Sequence, residues 1–128
     1  MEKGIKYSLE REVTVDMTAR VMGSGTLDVL ATPAMIALIE ETAWRSVASH
    51  LEEGCATVGT RLDISHVAPT PVGMTVRCDA ELTEVDGRRL VFSVTVSDEC
   101  GEIGRGTHER FIINAAKFQS KANAKKAE

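Results

Sequence analysis

The sequence lacks the features that mark several large classes of protein. No apolar run approaches the roughly 20 residues that a membrane-spanning helix needs. The N-terminal segment MEKGIKYSLER has no apolar core of the kind a signal peptide contains. The net charge is -4, so no overall basic excess favours nucleic acid or an anionic membrane surface. We therefore expect a cytoplasmic protein that binds neither nucleic acid nor membrane.

Cysteine is scarce and metal-binding motifs are missing. Cys55, Cys78 and Cys100 are odd in number and include no Cys-x-x-Cys pair, which predicts reduced thiols rather than disulfides or a zinc site. His108 lies in GTHERF without an HExxH partner. The sequence also has no GxGxxG fingerprint, no P-loop and no GxSxG elbow. We expect no bound metal or cofactor.

The length and composition indicate a single domain. A chain of 128 residues with 43% hydrophobic and 27% charged residues can build one core. We place the folded domain at residues 1–116. The Lys- and Ala-rich segment 117–128 is predicted to be flexible, either as a frayed helix or as a mobile tail.

Alternation of apolar and polar residues predicts five strands. YSLEREVTVDM forms the first, and ATVGTRLDISHVA the second, with Val58, Leu62, Ile64, His66 and Ala68 on one side. MTVRCDAEL and RRLVFSVTVSD are joined by an Asp-Gly turn that favours a hairpin, and IGRGTHERFIIN is the last strand. The class is therefore α+β, with one amphipathic helix across a curved, mainly antiparallel sheet. Because such a sheet has exposed edges, we expect pairing with a second copy.

The segment ATPAMIALIEETAWRSVASHL, residues 31–51, predicts the helix. Thr32 suits the N-cap and Pro33 the first helical position. Gly54 suits the C-terminal cap, so the helix is expected to run about five turns, to the region of EEGC.

A carboxylate interrupts the apolar side of this helix. At 100° per residue, Glu40 falls within the apolar stripe and Glu41 on the opposite side, whereas Leu38 falls on the polar side. The stripe consists of Ile36, Ile39, Ala43, Val47 and Leu51. A buried acid without partners costs several kcal/mol, so Glu40 is expected to be paired or functional. Two interpretations stay open. In the first, Glu40 extends its carboxylate to the sheet edge or is neutralised by an arginine such as Arg61 or Arg77. In the second, Glu40 is a general base.

Two further side chains are candidates for the same site. His66 shares the inward side of its strand, and an acid facing an imidazole is the arrangement that water activation requires. A core histidine bonded to a carbonyl is the alternative. Thr32 either caps the helix or presents its hydroxyl to a ligand carbonyl at the helix N-terminus.

Three segments together resemble a known family. TLDVLATPAMIALIEETA, VGTRLDISHVAPTPVGMTV and GRRLVFSVTVSDECGEIGRGTHERFII resemble the hot-dog-fold thioesterases of the fluoroacetyl-CoA thioesterase-like group, over residues 7–115. That family's catalytic set is a Thr, a Glu eight residues later and a His twenty-six further on. These spacings fall on Thr32, Glu40 and His66. A glycine that lines the family's pocket corresponds to Gly59.

The resemblance implies a fold and an activity. The fold would be a hot-dog domain at residues 1–116, with a five- to six-stranded antiparallel sheet around one long helix. The activity would be hydrolysis of an acyl-CoA thioester to free acid and CoA, with CoA as part of the substrate rather than a cofactor. Glu40 and Thr32 would activate or deliver the nucleophile, and His66 would polarise the carbonyl or exchange protons.

The family also implies a homodimer or tetramer with active sites near the subunit interface. A non-catalytic acyl-CoA-binding hot-dog module is the alternative function. The acyl group, the choice between CoA and acyl carrier protein, and the formation of an acyl-enzyme stay open. The fluoroacetyl specificity for which the group is named is not carried over to this chain.

Overall fold

The structure, a computed structural model, describes residues 1–126. Its longer elements are one sheet of strands, a long helix and two shorter helices: β1 Lys6–Glu12, α1 Ala19–Met22, α2 Thr32–Ala48, β2 Cys55–His66, β3 Thr75–Asp86, β4 Arg89–Asp98, β5 Gly101–Asn114 and α3 Ala115–Asn123. Short 3-10 helices cover Val15–Met17 and Ala124–Lys126. None of the helices in this part of the chain is long and apolar enough to cross a membrane.

The five strands form one antiparallel sheet in the order β1-β3-β4-β5-β2. The Asp-Gly turn joins β3 to β4 as the sequence predicts, with Gly87 at a φ of +61°. β1 and β2 are the two edges. This arrangement confirms the predicted α+β class and, within residues 1–126, fixes the strand number at five.

The long helix α2 packs on one face of the sheet and builds the core with it. Met35, Ile39, Ala43 and Val47 are fully buried on the helix. They meet the buried side chains of the central strands: Val76, Cys78, Ala80, Leu82, Leu90, Phe92, Val94 and Val96. Burying each large apolar side chain contributes about 1.5–3 kcal/mol, so this interface is the main stabilising one.

The helix is rotated relative to the face that the sequence predicts. Leu38, expected on the polar side, is buried at 4% exposure, and Thr42 is fully buried, whereas Ile36 is only half-buried. The centre of the buried face therefore lies about 90° from Ile36. Because the apolar stripe is wide, its centre could not be located from the wheel alone, and Glu40 lies at its margin instead of its middle.

The ends of α2 also differ from the prediction. Thr32 is the first helical residue and Ala31 is the N-cap, with no side-chain capping bond. The hydroxyl of Thr32 has another partner, described below. The helix ends at Ala48, before Gly54, whose φ of +84° lies in the turn that leads into β2.

A bulge in β2 changes which side chains face the helix. The register with β5 shifts between Gly59 and Arg61, because one extra residue is inserted there. Leu62 pairs with the buried His108, whereas Val58 pairs with the exposed Phe111 on the other face. The prediction that Val58 shares the side of Leu62, Ile64 and His66 is therefore wrong.

The C-terminal segment continues β5 as the exposed helix α3, capped by the side chain of Asn114, which accepts from the backbone N–H of Lys117. Of the two forms predicted for the tail, the structure therefore shows a helix. The domain boundary at residue 116 and the flexibility of 117–128 stay predictions, and residues 127 and 128 of that tail lie outside the described residues.

β2 and β5 approach each other closely at Gly106. Gly106 has a φ of +154°, and a Cβ there would overlap the carbonyl oxygen of Asp63 on β2. Gly101 has a similar φ of +147° but no atom within 4 Å of a Cβ. In urea unfolding we expect Gly106→Ala to lose at least about 2 kcal/mol more free energy of unfolding than Gly101→Ala. Equal losses in the two variants would contradict the steric explanation.

Candidate active site

Thr32 and His66 come together at one end of the helix. Thr32 Oγ1 lies 2.8 Å from Nδ1 of His66, although the residues are 34 positions apart in the chain. Both border an open cavity of about 330 Å³, whose other walls include Ala19, Val29 and Ala68. The first turn of α2 and the last residue of β2 therefore present a hydroxyl and an imidazole side by side to solvent.

His66 is suited to accept a proton near neutral pH. Burial lowers its pKa from the usual 6.5, and a hydrogen bond to the backbone of Ala68 partly opposes that shift. The imidazole is therefore mainly neutral at pH 7. With its proton on Nε2, the ring has a lone pair on Nδ1 that can take the Thr32 hydroxyl proton.

Glu40 lies further along the helix and has a different set of neighbours. Its side chain is 40% exposed, and Oε2 lies 3.4 Å from Nη1 of Arg110. Its partner is therefore Arg110, not Arg61 or Arg77 as the sequence suggests. A Cβ on Gly59 would lie only 2.6 Å from Oε2 of Glu40, so the absence of a side chain at residue 59 gives the carboxylate its space.

Arg110 and His108 form a buried polar pair on β5 that sequence reasoning missed. Arg110 is 5% exposed and His108 is fully buried. Nη1 of Arg110 lies 3.1 Å from Nε2 of His108, and Nδ1 of His108 lies 2.8 Å from the carbonyl oxygen of Arg61. The signal was present in GTHERFII, where His108, Arg110 and Ile112 alternate on the inward side, but charged residues at such positions are usually solvated.

Burial also affects the protonation of this pair. It lowers the pKa of Arg110, with the charge and hydrogen bond of Glu40 opposing the shift. It lowers the pKa of His108 as well; the bond to the Arg61 backbone opposes this, and the positive charge of Arg110 adds to it. His108 is therefore a neutral acceptor beside a cation.

Within the chain the predicted catalytic residues form two separate groups. Thr32 and His66 make one, and Glu40 and Gly59 make the other, next to Arg110. Glu40 follows Thr32 by eight positions in the helix, a rise of about 12 Å. Beside the second group lies another cavity of about 390 Å³, lined by side chains that include Trp44, Leu51 and Arg110. In the described part of the chain no three His, Cys, Asp or Glu side chains cluster as a metal site would require.

Comparison with known proteins identifies what the chain resembles. A family model described as fluoroacetyl-CoA-specific thioesterase matches residues 13–116. The fluoroacetyl-CoA thioesterase of Streptantibioticus cattleyicolor is 44% identical over 98 residues, which cover 77% of this chain and 70% of that protein.

Solved structures agree with the sequence comparison. The fluoroacetyl-CoA thioesterase FlK superposes with a TM-score of 0.93 at 36% identity, covering 100% of this chain and 98% of FlK. A thioesterase-superfamily protein of Thermus thermophilus has a TM-score of 0.89 at 30% identity, covering 98% of this chain and 93% of that one. A hot-dog-like protein of Thermanaerovibrio acidaminovorans has a TM-score of 0.89 at 21% identity, covering 100% of this chain and 95% of that one. At this identity the match supports the fold alone.

These matches confirm the hot-dog fold and decide between the two functions left open by the sequence. The family model and the 44% identical relative are both thioesterases, which favours hydrolysis over a non-catalytic binding module. The chain therefore belongs to the fluoroacetyl-CoA-specific thioesterase family, and it is an acyl-CoA thioester hydrolase with a hot-dog fold.

Proposed function

We propose that Thr32, Glu40 and His66 are the catalytic residues of this hydrolase. The observation that supports this assignment most directly is the 2.8 Å contact between the Thr32 hydroxyl and Nδ1 of the neutral His66, at the mouth of an open cavity. A hydroxyl beside a neutral imidazole is the arrangement of an activated nucleophile. A thioester carbonyl is already electrophilic, so this activation suffices without a metal or cofactor.

His66 takes a proton as the nucleophile attacks. The nucleophile is either the Thr32 hydroxyl or a water molecule in the same place; the new C–O bond forms a tetrahedral intermediate, which expels CoA as the thiolate when the C–S bond breaks. The imidazolium returns its proton to the departing sulfur. If Thr32 is the nucleophile, a water molecule then hydrolyses the acyl-threonine ester, so both routes end in free acid and CoA.

Glu40 is proposed to orient the attacking water. When Thr32 is the nucleophile, Glu40 takes the proton of the water that then hydrolyses the acyl-threonine ester, and the departing Thr32 oxygen is reprotonated. The carboxylate of Glu40 is held by Arg110 on one side and is 40% exposed, so water reaches it. Gly59 is proposed as the substrate-binding residue. The register of β2 shifts directly after Gly59, and a bulge frees backbone groups from the regular ladder to bind a thioester carbonyl.

We further propose a homodimer, joined through the edge strand β2, that could pair again into a tetramer. β2 has twelve residues and an unpaired side. Leu62 shares the helix-facing side of the sheet with the buried His108, yet it is 42% exposed, as is expected of an apolar side chain that a second subunit covers.

Pairing of two β2 strands explains how separated groups act on one substrate. In an antiparallel pair, the end of one strand lies beside the beginning of the other. The His66 end of one protomer would then lie near the Cys55 end of its partner, where Gly59 and Glu40 lie. Each composite site would take Thr32 and His66 from one subunit and Glu40 and Gly59 from the other.

The substrate is proposed to be a CoA ester in the cytoplasm. The relative from Streptantibioticus cattleyicolor is a fluoroacetyl-CoA thioesterase, and an FlK threonine-to-serine mutant has been solved with acetyl-CoA. Measurement of CoA release from fluoroacetyl-, acetyl-, branched, aromatic and long-chain acyl-CoAs, with an acyl carrier protein ester alongside, would define the acyl group and carrier.

Removal of the proposed catalytic groups tests the assignment. We expect Glu40→Gln and His66→Ala to lower kcat for CoA release by at least about 100-fold, because each removes a proton-transfer group. Glu41→Gln and His50→Ala are matched controls on the same helix and just beyond it, and they should retain wild-type rates. Full activity of both Glu40→Gln and His66→Ala, with unchanged thermal unfolding, would show that the site is wrongly assigned.

Mixing of inactive variants tests the composite site. When His66→Ala and Glu40→Gln chains are co-expressed, half of the dimers are expected to be heterodimers. Each heterodimer has one intact site if the groups come from different subunits. We expect recovery of up to about a quarter of the wild-type activity on purification of the mixture. If all three residues act within one subunit, no activity returns, and a monomer in light scattering would rule out the dimer itself.

A further inference from the structure

The reaction as proposed makes no use of the fully buried His108. Its ring stacks on Phe92 of β4, with centroids 6.2 Å apart and planes inclined by 30°. Its two nitrogens each have a defined partner, so the ring is held in one orientation. A buried polar side chain of this kind must be satisfied, but its position beside Arg110 gives it a further role.

The hydrogen bonds of His108 determine which nitrogen carries the proton. Nδ1 lies 2.8 Å from the backbone carbonyl oxygen of Arg61, which can only accept. Nδ1 is therefore the donor, and in the neutral ring Nε2 carries a lone pair. That lone pair accepts from Nη1 of Arg110 at 3.1 Å.

Three acceptors hold the guanidinium of Arg110 in place. Besides His108, Arg110 donates from Nε to Oγ1 of Thr57 at 2.8 Å and from Nη2 to the carbonyl oxygen of Thr57 at 2.9 Å. The planar guanidinium is thus fixed on two sides. Its Nη1 edge is left facing Oε2 of Glu40, at 3.4 Å.

We propose that His108 is a positioning residue for hydrolysis: its Nε2 lone pair holds Nη1 of Arg110, and Arg110 holds the Glu40 carboxylate above Gly59. His108 does not touch the substrate. The proposal rests on the role of Glu40 proposed above, because a carboxylate without a catalytic role needs no such alignment. Small displacements of a reacting group reduce rates strongly, so the effect should appear in kcat.

Two substitutions distinguish the roles of the two nitrogen atoms of the His108 ring. His108→Gln places an amide oxygen near the position of Nε2 and so retains an acceptor for Arg110, whereas His108→Asn retains a donor near Nδ1 and loses that acceptor. We expect His108→Asn to lower kcat by about 10- to 100-fold with little change in KM, and His108→Gln to recover most of the rate. Both replace a buried imidazole by a smaller amide, so both should lose stability to a similar extent.

The outcomes are distinct from those for the proposed function. If Glu40→Gln abolishes activity while His108→Asn and His108→Gln have equal kcat, the positioning role is wrong and the catalytic assignment stands. If Glu40→Gln is fully active, the catalytic assignment itself fails. Should the His108 variants not fold, Arg110→Lys keeps the positive charge but loses the planar guanidinium that His108 and Thr57 orient, and an unchanged kcat in that variant would overturn the proposal.

The pH dependence of stability gives a second readout. Protonation of His108 places an N–H on Nε2 against the N–H of Arg110, so the native state requires the neutral ring. Around it lie Glu40 from α2, Arg61 from β2 and Glu109 and Arg110 from β5; Phe92 from β4 is uncharged. Burial, the largest cause, lowers the pKa of His108 below the usual 6.5 of the unfolded chain.

The sign of the effect follows from proton binding. Below about pH 6.5, His108 binds a proton in the unfolded chain but stays neutral in the folded chain. The free energy of unfolding is therefore highest above that pH and falls as the pH decreases. We expect the Tm of the wild type to drop more between about pH 7 and pH 5.5 than that of His108→Gln, which has no titrating group there. His66 is common to both proteins and cancels. Parallel Tm curves would show that residue 108 is not held neutral and would contradict the proposal.

Discussion

The packing of α2 against one face of the sheet determines where the functional side chains lie. Met35, Ile39, Ala43 and Val47 are fully buried against the central strands, and so the helix has one rotation and one axial position. That position brings the first turn of the helix to the end of β2, where Thr32 meets His66. It also brings the margin of the buried face over Gly59, where Glu40 has space for its carboxylate.

The same packing leaves the candidate catalytic residues in two separate groups within the chain. A helix rises about 1.5 Å per residue and a strand about 3.3 Å, so the two contacts between α2 and β2 lie well apart. Glu40 and His66 therefore have separate partners in one chain. The proposed pairing of two β2 edges overcomes this separation by symmetry, and it would also cover Leu62. Enzyme activity and subunit association would then depend on the same strand.

The polar pair on β5 shows how a charged side chain is accommodated beside an apolar core. A buried guanidinium is costly unless its hydrogen bonds are made. In the part of the chain that the structure describes, no buried side-chain nitrogen or oxygen is without a partner. Arg110 is bonded to Thr57 and His108, and it faces Glu40. Because its hydrogen-bonding groups are paired, this network is rigid. Rigidity suits Arg110, which is proposed to align the carboxylate of Glu40.

The sequence by itself determined the elements and the candidate residues, and only the tertiary structure decided how those residues meet. Alternation along the chain and the Asp-Gly turn were enough for the strands and the hairpin, because these signals depend on near neighbours. Spacing and family resemblance singled out Thr32, Glu40, His66 and Gly59. The sequence could not show that Thr32 bonds His66 rather than capping α2, nor that a bulge turns Val58 outward. It could not show that Glu40 faces Arg110, since 70 positions separate them and their contact depends on the path of the whole chain.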